Sequence, residues 1–272
     1  MRRIAVGTIF AKNYLAQART LATSFQKWHP EIPLFGLLAD ECDGHFTPET
    51  EPFHLLKLDQ VDLPDLHRLK VQSTRQQLAV LAKPFLIQYL LDRGFQAVLL
   101  LDPDVWILNR LDSLLELIRR HSVVLTPHLL EPPSAKHRLS REFNILVSGI
   151  YNGGCLGVSD TLTSRQFLGW FQERLLAHCR HAITEGVYYD QRWLDLVPTY
   201  FDDVKICCDP GVNIAYWNLP ERQLERANGT YSVQGQPAKF FHFSGFEPED
   251  SERLSRYVVS GMKSQDPVIQ QL

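Results

Sequence analysis

Apolar and polar positions along the chain follow two periods, one of strands and one of helices. Ile4-Ala5-Val6 and Thr8-Ile9-Phe10, broken by Gly7, predict a strand over 3–9. Ala18, Leu21, Ala22 and Phe25 then recur at helical spacing with Trp28 beyond. This predicts an amphipathic helix capped by Asn13 and ended before Pro30. A second apolar run over 32–39 stops at Asp40, so the chain opens strand–helix–strand, the arrangement of a parallel sheet. Residues 40–52, with Asp43-Gly44, Pro48 and Pro52, read as loop, and 53–58 as a third strand. Helix is predicted over 73–93, restarting at Pro84 with Gly94 as its C-cap. The run Ala97-Val98-Leu99-Leu100-Leu101 is the pattern of a fully buried strand, and Pro103, which cannot donate a ladder bond, stops it near Asp102.

Beyond that strand, Ser113 and Glu116 predict a capping box for a helix with Leu114, Leu117 and Ile118 on one side. A short strand follows over 123–126. Three prolines and many charges make 127–145 a mobile loop or lid in this reading. A strand over 151–158 is interrupted by Gly153-Gly154, and a helix from Asp160 buries Phe167, Trp170, Phe171 and Leu175. A short helix within 186–196, short strands at 204–208 and 240–243 and a helix after Ser251 complete the prediction. With no repeat and no clear linker, 1–272 is read as one α/β domain with a Rossmann-like, mixed, mostly parallel sheet flanked by helices.

Composition narrows the classes of function. Hydrophobic residues make up 44% of 272 positions, enough for a sizeable core. A net charge of −3 without a basic run argues against nucleic-acid binding. No apolar run is long enough for an integral membrane segment, and the first residues lack the apolar core of a signal peptide. Five scattered cysteines without Cys-x-x-Cys spacing are those of a cytoplasmic protein with reduced thiols.

The chemistry concentrates in four places. Asp102 and Asp104 would share one face at the end of a buried strand, where ligands of open α/β sheets sit. Two acids there call for an oxygen-loving divalent cation. In Phe240-Phe241-His242-Phe243-Ser244-Gly245, alternation puts His242 and Ser244 on one polar face, and a neutral imidazole suits Mn²⁺ better than Mg²⁺. The paired glycines of Tyr151-Asn152-Gly153-Gly154 mark a bulge or a close approach. Asp190-Gln191 sets an acid beside an amide at a helix start, able to bond sugar hydroxyls or simply to cap.

In order and spacing these motifs resemble glycosyltransferase family 8 of the GT-A fold, which includes glycogenin and bacterial lipopolysaccharide glycosyltransferases. The resemblance runs from Thr8 to Gly245. It implies that Thr8 and Tyr14 hold the nucleobase and that Lys83 contacts the donor. Asp102, Asp104 and His242 become the metal ligands. Asn152, Gly153 and Gly154 form the donor-sugar turn, Asp190 and Gln191 bind sugar hydroxyls near the anomeric carbon, and Asn213 and Gly245 line the site. The implied activity is metal-dependent transfer of a hexose from a nucleotide sugar, a UDP-hexose, to a glycan or other hydroxyl acceptor with retention. Residues 1–104 would be the nucleotide-binding half and 105–272 the donor-sugar and acceptor half.

One position departs from the family. Its usual Lys-Pro-Trp after His-Phe-x-Gly, whose lysine clamps the diphosphate, is here the acidic Phe246-Glu247-Pro248-Glu249-Asp250. Lys83, a basic residue of 136–141 or the metal itself is then expected to carry that charge. Two competitors remain open. Phosphatases of the haloacid-dehalogenase type also end a strand in Asp-x-Asp, although on the first strand and followed by Gly-Thr. A non-catalytic sugar-nucleotide-binding module is the other.

Overall fold

The structure, a computed structural model, describes residues 3–44, 46–133, 138–250, 253–257 and 267–272. β1 (Ile4–Phe10), α1 (Leu15–Trp28), β2 (Leu34–Leu38) and β3 (His54–Lys57) form a parallel opening unit. α2 (Leu66–Gln72), α3 (Arg75–Leu81) and α4 (Lys83–Asp92) lead back to β4 (Ala97–Leu101), which lies parallel beside β1. The chain continues through β5 (Val105–Ile107), α5 (Asp112–Arg120), β6 (Val123–Pro127), α6 (Arg138–Ser148), β7 (Tyr151–Ser159), α7 (Leu162–His178) and α8 (Gln191–Leu194). The central sheet has seven strands in the order Val204–Ile206, β6, β7, β4, β1, β2, β3. Only β7 runs antiparallel to its neighbours, β4 and β6. It is a mixed, mostly parallel sheet flanked by helices, as the pattern predicts.

Period-two alternation sorts the core into two layers. Ala97, Leu99 and Leu101 of β4 face α1 and α5, with Leu21, Phe25, Leu114 and Ile118 against them. Val98 and Leu100 face the other way, onto Leu86 and Leu90 of α4 and Phe167 and Phe171 of α7. With both faces covered, every residue of β4 is buried, which explains its unbroken apolar run.

Several expectations are corrected. α6 occupies the end of the segment expected as a lid loop: the prolines stop at Pro133, and Phe143, Leu146, Val147 and Ile150 then recur at helical spacing. Residues 134–137, including part of the 136–141 stretch, lie outside the described residues. β7 runs as one buried strand through Gly153-Gly154, but its register against β6 slips there, as the paired glycines predict. Ser113 does not cap α5, whose N-cap is Leu111, and Ser113 Oγ bonds Asp209 instead. Asn13 lies in a single 3₁₀ turn ahead of α1 and caps nothing. α2 was not foreseen, and Thr74 caps α3 through a reciprocal bond with Gln77. Gly94 follows α4 at φ +84°, in its expected role. Of the helix expected after Ser251, residues 251–252 and 258–266 lie outside the described residues, and 253–257 form a turn.

Candidate active site

The site forms where β7 begins, because its antiparallel course brings its first residues to the carboxyl end of β4. Cys155 pairs with Leu101, and the Asp102 N–H donates to the Gly154 carbonyl at 2.9 Å. Asp102-Pro103-Asp104 is a turn between β4 and β5 and not a continued strand, yet both carboxylates reach one point. β5 pairs antiparallel with the strand Phe240–His242, opposing Val105 to His242, and the Phe243 N–H donates to the Asp104 carbonyl at 2.8 Å. The pairing carries His242 to the acids across nearly the whole sequence.

One ligand atom each from Asp102, Asp104 and His242 lies within 4.8 Å of the others. His242 Nε2 is 3.1 Å from Asp104 Oδ1 and 4.0 Å from Asp102 Oδ2. Its Nδ1–H donates to Asn213 Oδ1 at 3.0 Å, which fixes the ring and directs Nε2 at the acids. Two carboxylates and an imidazole so oriented fit a divalent metal ion. Burial alone would raise the Asp104 carboxyl, but the charge and hydrogen bond of His242 outweigh it and hold Asp104 below its usual value. Burial pulls His242 down in turn, and Asp104, with help from Asp102, brings it above its usual value. The pair is therefore an ion pair that a cation would displace by taking the place of the imidazole proton.

Next to the triad, Lys83 at the start of α4 is buried among acids. Its ammonium donates to Gly153 O at 2.7 Å and Asp190 Oδ2 at 2.9 Å, and it lies 3.1 Å from Asp102 Oδ1. Burial alone would lower its pKa, but Asp102 and Asp190 more than offset this and raise it, so it stays charged. All three of its protons are engaged. Asp190 is set by Tyr189, which holds φ +45°, a strained value for a tyrosine. Asp190 precedes α8 without capping it, so the capping alternative is set aside.

The Asn152-Gly153-Gly154 segment explains its own glycines. A Cβ on Gly153 would lie 2.3 Å from Asp190 Oδ2, and one on Gly154 would lie 2.5 Å from His242 Cε1 and 2.7 Å from Asp102 Oδ2. The close approach is to the acids of the site, and the strand is also irregular here: Leu125 of β6 faces Leu156 but Pro127 faces Tyr151, so the register slips across 152–155. Asn152 accepts from the Gly154 N–H at 3.0 Å and donates from Nδ2 to Gln191 Oε1 at 3.1 Å. Gln191 Oε1 also accepts from the Gly153 N–H at 3.1 Å, while its Nε2 donates to Ser148 O at 3.1 Å, tying the site to the end of α6.

Sequence reasoning missed His128. Its Nδ1–H donates to Ile150 O at 3.2 Å, leaving Nε2 to accept from Asn152 Nδ2 at 3.1 Å. Burial holds its pKa down to about 4, so the ring is neutral and the acceptor role is secured. Trp217 sets its ring edge-on to both His128 and His242, with centroids 5.2 and 5.3 Å away. No motif announced His128; a histidine two positions after a buried strand's threonine was the available hint.

The remaining predicted residues surround this centre. Thr8, in the last half of β1, is fully buried with Oγ1 unpartnered. Tyr14 sits at the N-cap of α1, where burial, then the Asp104 charge, raises its hydroxyl pKa. Asn213 is buried at φ +59° behind His242. Gly245, at φ +72°, is covered by Tyr257 and Ser255. The five cysteines are all free, and no helix among the described residues is long and apolar enough to cross a membrane.

No family model matches the chain. By sequence it is similar to YfnF, an uncharacterized protein of Bacillus subtilis (strain 168), at 28% identity over 251 residues, 88% of this chain and 80% of YfnF. By structure it is similar to the galactosyltransferase LgtC, solved in complex with donor and acceptor sugar analogs, with a TM-score of 0.58 over 91% of this chain and 89% of LgtC at 15% identity. A glycosyltransferase involved in the glycosylation of the major capsid of PBCV-1 aligns at a TM-score of 0.52 and 14% identity, covering 90% of this chain and 94% of its own. The chain shares the GT-A fold of these structures.

Proposed function

We propose that the chain is a metal-dependent glycosyltransferase that moves a hexose from a UDP-sugar to a hydroxyl of a glycan or other acceptor, with retention. The observation that carries the reading is the convergence of the half-buried Asp102 and Asp104 with the buried His242 beside the Lys83–Asp190 pair, on a sheet shared with glycosyltransferases. A divalent ion held by the three side chains, Mn²⁺ in preference to Mg²⁺ because of the imidazole, would act as a Lewis acid on the departing phosphate oxygens.

The chain's own residues supply position and charge. Thr8 and Tyr14, in the half spanning 1–104, take the nucleobase; the unpartnered Thr8 hydroxyl is free to bond it. Asp190, backed by Lys83, accepts from donor-sugar hydroxyls through the oxygen that Lys83 leaves open. Asn152 and Gln191 hold the Gly153-Gly154 backbone against which the sugar lies. In the transfer, the bond from the anomeric carbon to the β-phosphate oxygen breaks and one to the acceptor oxygen forms on the same face. The acceptor proton passes to the departing phosphate oxygen, yielding a glycoside and UDP. α6, with Phe143 60% and Leu146 59% exposed, forms the acceptor-side wall in the half spanning 105–272.

Incubation with UDP-glucose and UDP-galactose, with and without Mn²⁺, is expected to release UDP only with the metal, and Asp104→Asn to lower that release at least a hundredfold. Metal-dependent UDP binding without release under any acceptor or hydrolysis condition would make the chain a binding module instead.

A further inference from the structure

A nucleoside diphosphate is strongly anionic, and the site described so far has little positive charge to offer it. Asp102, Asp104 and Asp190 are three acids, and the Lys83 ammonium is shared between two of them. A dication would do no more than balance Asp102 and Asp104. The turn after His242 brings Glu247, Glu249 and Asp250, so a further cation must come from elsewhere in the fold.

The segment 253–257 brings one. The Arg256 N–H donates to the Gly245 carbonyl at 2.8 Å, three residues after His242. Ser255 is fully buried, and Tyr257 lies over Gly245 so closely that a Cβ there would meet its ring at 2.6 Å. The positive φ of Gly245 and its missing side chain make this seat possible. The Tyr257 ring also lies tilted against that of Tyr216, a neighbour of Trp217, with centroids 6.3 Å apart. Arg256 lies over the Tyr257 ring, donates to its hydroxyl at 2.9 Å and is 3.5 Å from Glu247, with 43% of its side chain exposed. Its charge is felt by the Tyr14 hydroxyl, which also feels Asp104 and Asp102, and by the Tyr188 hydroxyl, which also feels Asp190. The guanidinium is therefore within electrostatic reach of groups on both the β1–α1 side and the Asp190 side. An exposed pair with Glu247 at that distance is weak and easily exchanged for a better anion.

We infer that Arg256, seated by the docking of 253–257 on the Gly245 turn, is the side chain that binds the diphosphate of the donor. Its planar fork suits two phosphate oxygens at once. This assignment rests on the proposed reading of the chain as a nucleotide-sugar enzyme.

The test measures binding of UDP and of uridine in the presence of Mn²⁺ by calorimetry, on the full chain and on Arg256→Gln and Arg256→Lys. Arg256→Gln is expected to weaken UDP by about 10- to 100-fold, with uridine affinity and unfolding temperature unchanged. Arg256→Lys should recover part of the loss, because a point charge remains where the fork is gone. Equal UDP affinity in all three proteins overturns the assignment. So does an equal loss in both variants accompanied by a lowered unfolding temperature, which would make Arg256 a tether for its own segment. A parent chain that binds no UDP, GDP or TDP at all overturns the nucleotide-sugar reading itself, a result distinct from either of these.

Discussion

At the scale of single residues, the site is held by side chains whose second hydrogen bond decides what the first can do. His242 presents Nε2 to the acids because Nδ1–H is taken by Asn213, and His128 accepts from Asn152 because Nδ1–H is taken by Ile150 O. The two rings differ in charge for a reason visible in their surroundings: His242 faces Asp104, whereas His128 faces an amide, a carbonyl and an indole edge. His128 therefore stays neutral to about pH 4, while in the unfolded chain it takes its proton near 6.5. Between those values the unfolded state binds more protons, so stability falls as pH drops through that window. The loss attributable to His128 between pH 7 and 4.5 is on the order of 2–3 kcal/mol. Urea unfolding at both pH values should show it in the parent chain and show that much less in His128→Asn. An identical pH slope in the two proteins would remove His128 from the account.

At the scale of elements, the reversal of one strand assembles the centre. In a wholly parallel sheet the residues beside Asp102 would belong to the end of a strand. Because β7 is antiparallel to β4, its beginning lies there, and Asn152, Gly153 and Gly154 meet the acids. The paired glycines are legible in sequence as a close approach, but what approaches is not, since Asp190 and His242 come from far along the chain. Gly154→Ala would place a methyl 2.5 Å from His242 Cε1 and 2.7 Å from Asp102 Oδ2. It is expected to push the ligands apart, weaken Mn²⁺ binding at least tenfold and cost about 1–3 kcal/mol of stability. Calorimetric titration with Mn²⁺ and a denaturant series check the two halves; undiminished metal affinity would show that the triad does not depend on this contact. The same contrast explains what the pattern hid in α6 and β7. The prolines and charges before residue 134 masked the helical spacing from Phe143 to Ile150, whose apolar face is exposed. The glycines of β7 coincide with a register shift against β6, where Leu125 faces Leu156 and Pro127 faces Tyr151, although the strand itself runs on.

At the scale of the molecule, the central strands β1, β2, β4, β6 and β7 were legible because each buries an apolar run, whereas the partly exposed hairpin strands Leu224–Ala227 and Thr230–Val233 were not. The order Asp102-Pro103-Asp104, Asn152, Asp190, His242 was legible as motifs. The sequence pattern carried no sign that Arg256 returns to Gly245, or that Lys83 is fully occupied by Gly153, Asp102 and Asp190. Both depend on contacts between distant segments, for which local periodicity has no signal. That same dispersal makes the site a report on the whole fold. The proposed site draws on β1, α4, the β4–β5 turn, β7, the start of α8 and the strand Phe240–His242, so a ligand bound across them would hold these elements together. Any such ligand stabilises the native state by mass action, about 2.7 kcal/mol at a hundredfold excess over its dissociation constant. For a chain of this length that is a rise of roughly 5–10 °C in unfolding temperature. Mn²⁺ and UDP together are expected to give this shift, each alone a smaller one, and a chelator should abolish the part that depends on both. A UDP shift that survives chelation unchanged would show that nucleotide and metal bind independently, and that Asp102, Asp104 and His242 do not form a common site with the diphosphate.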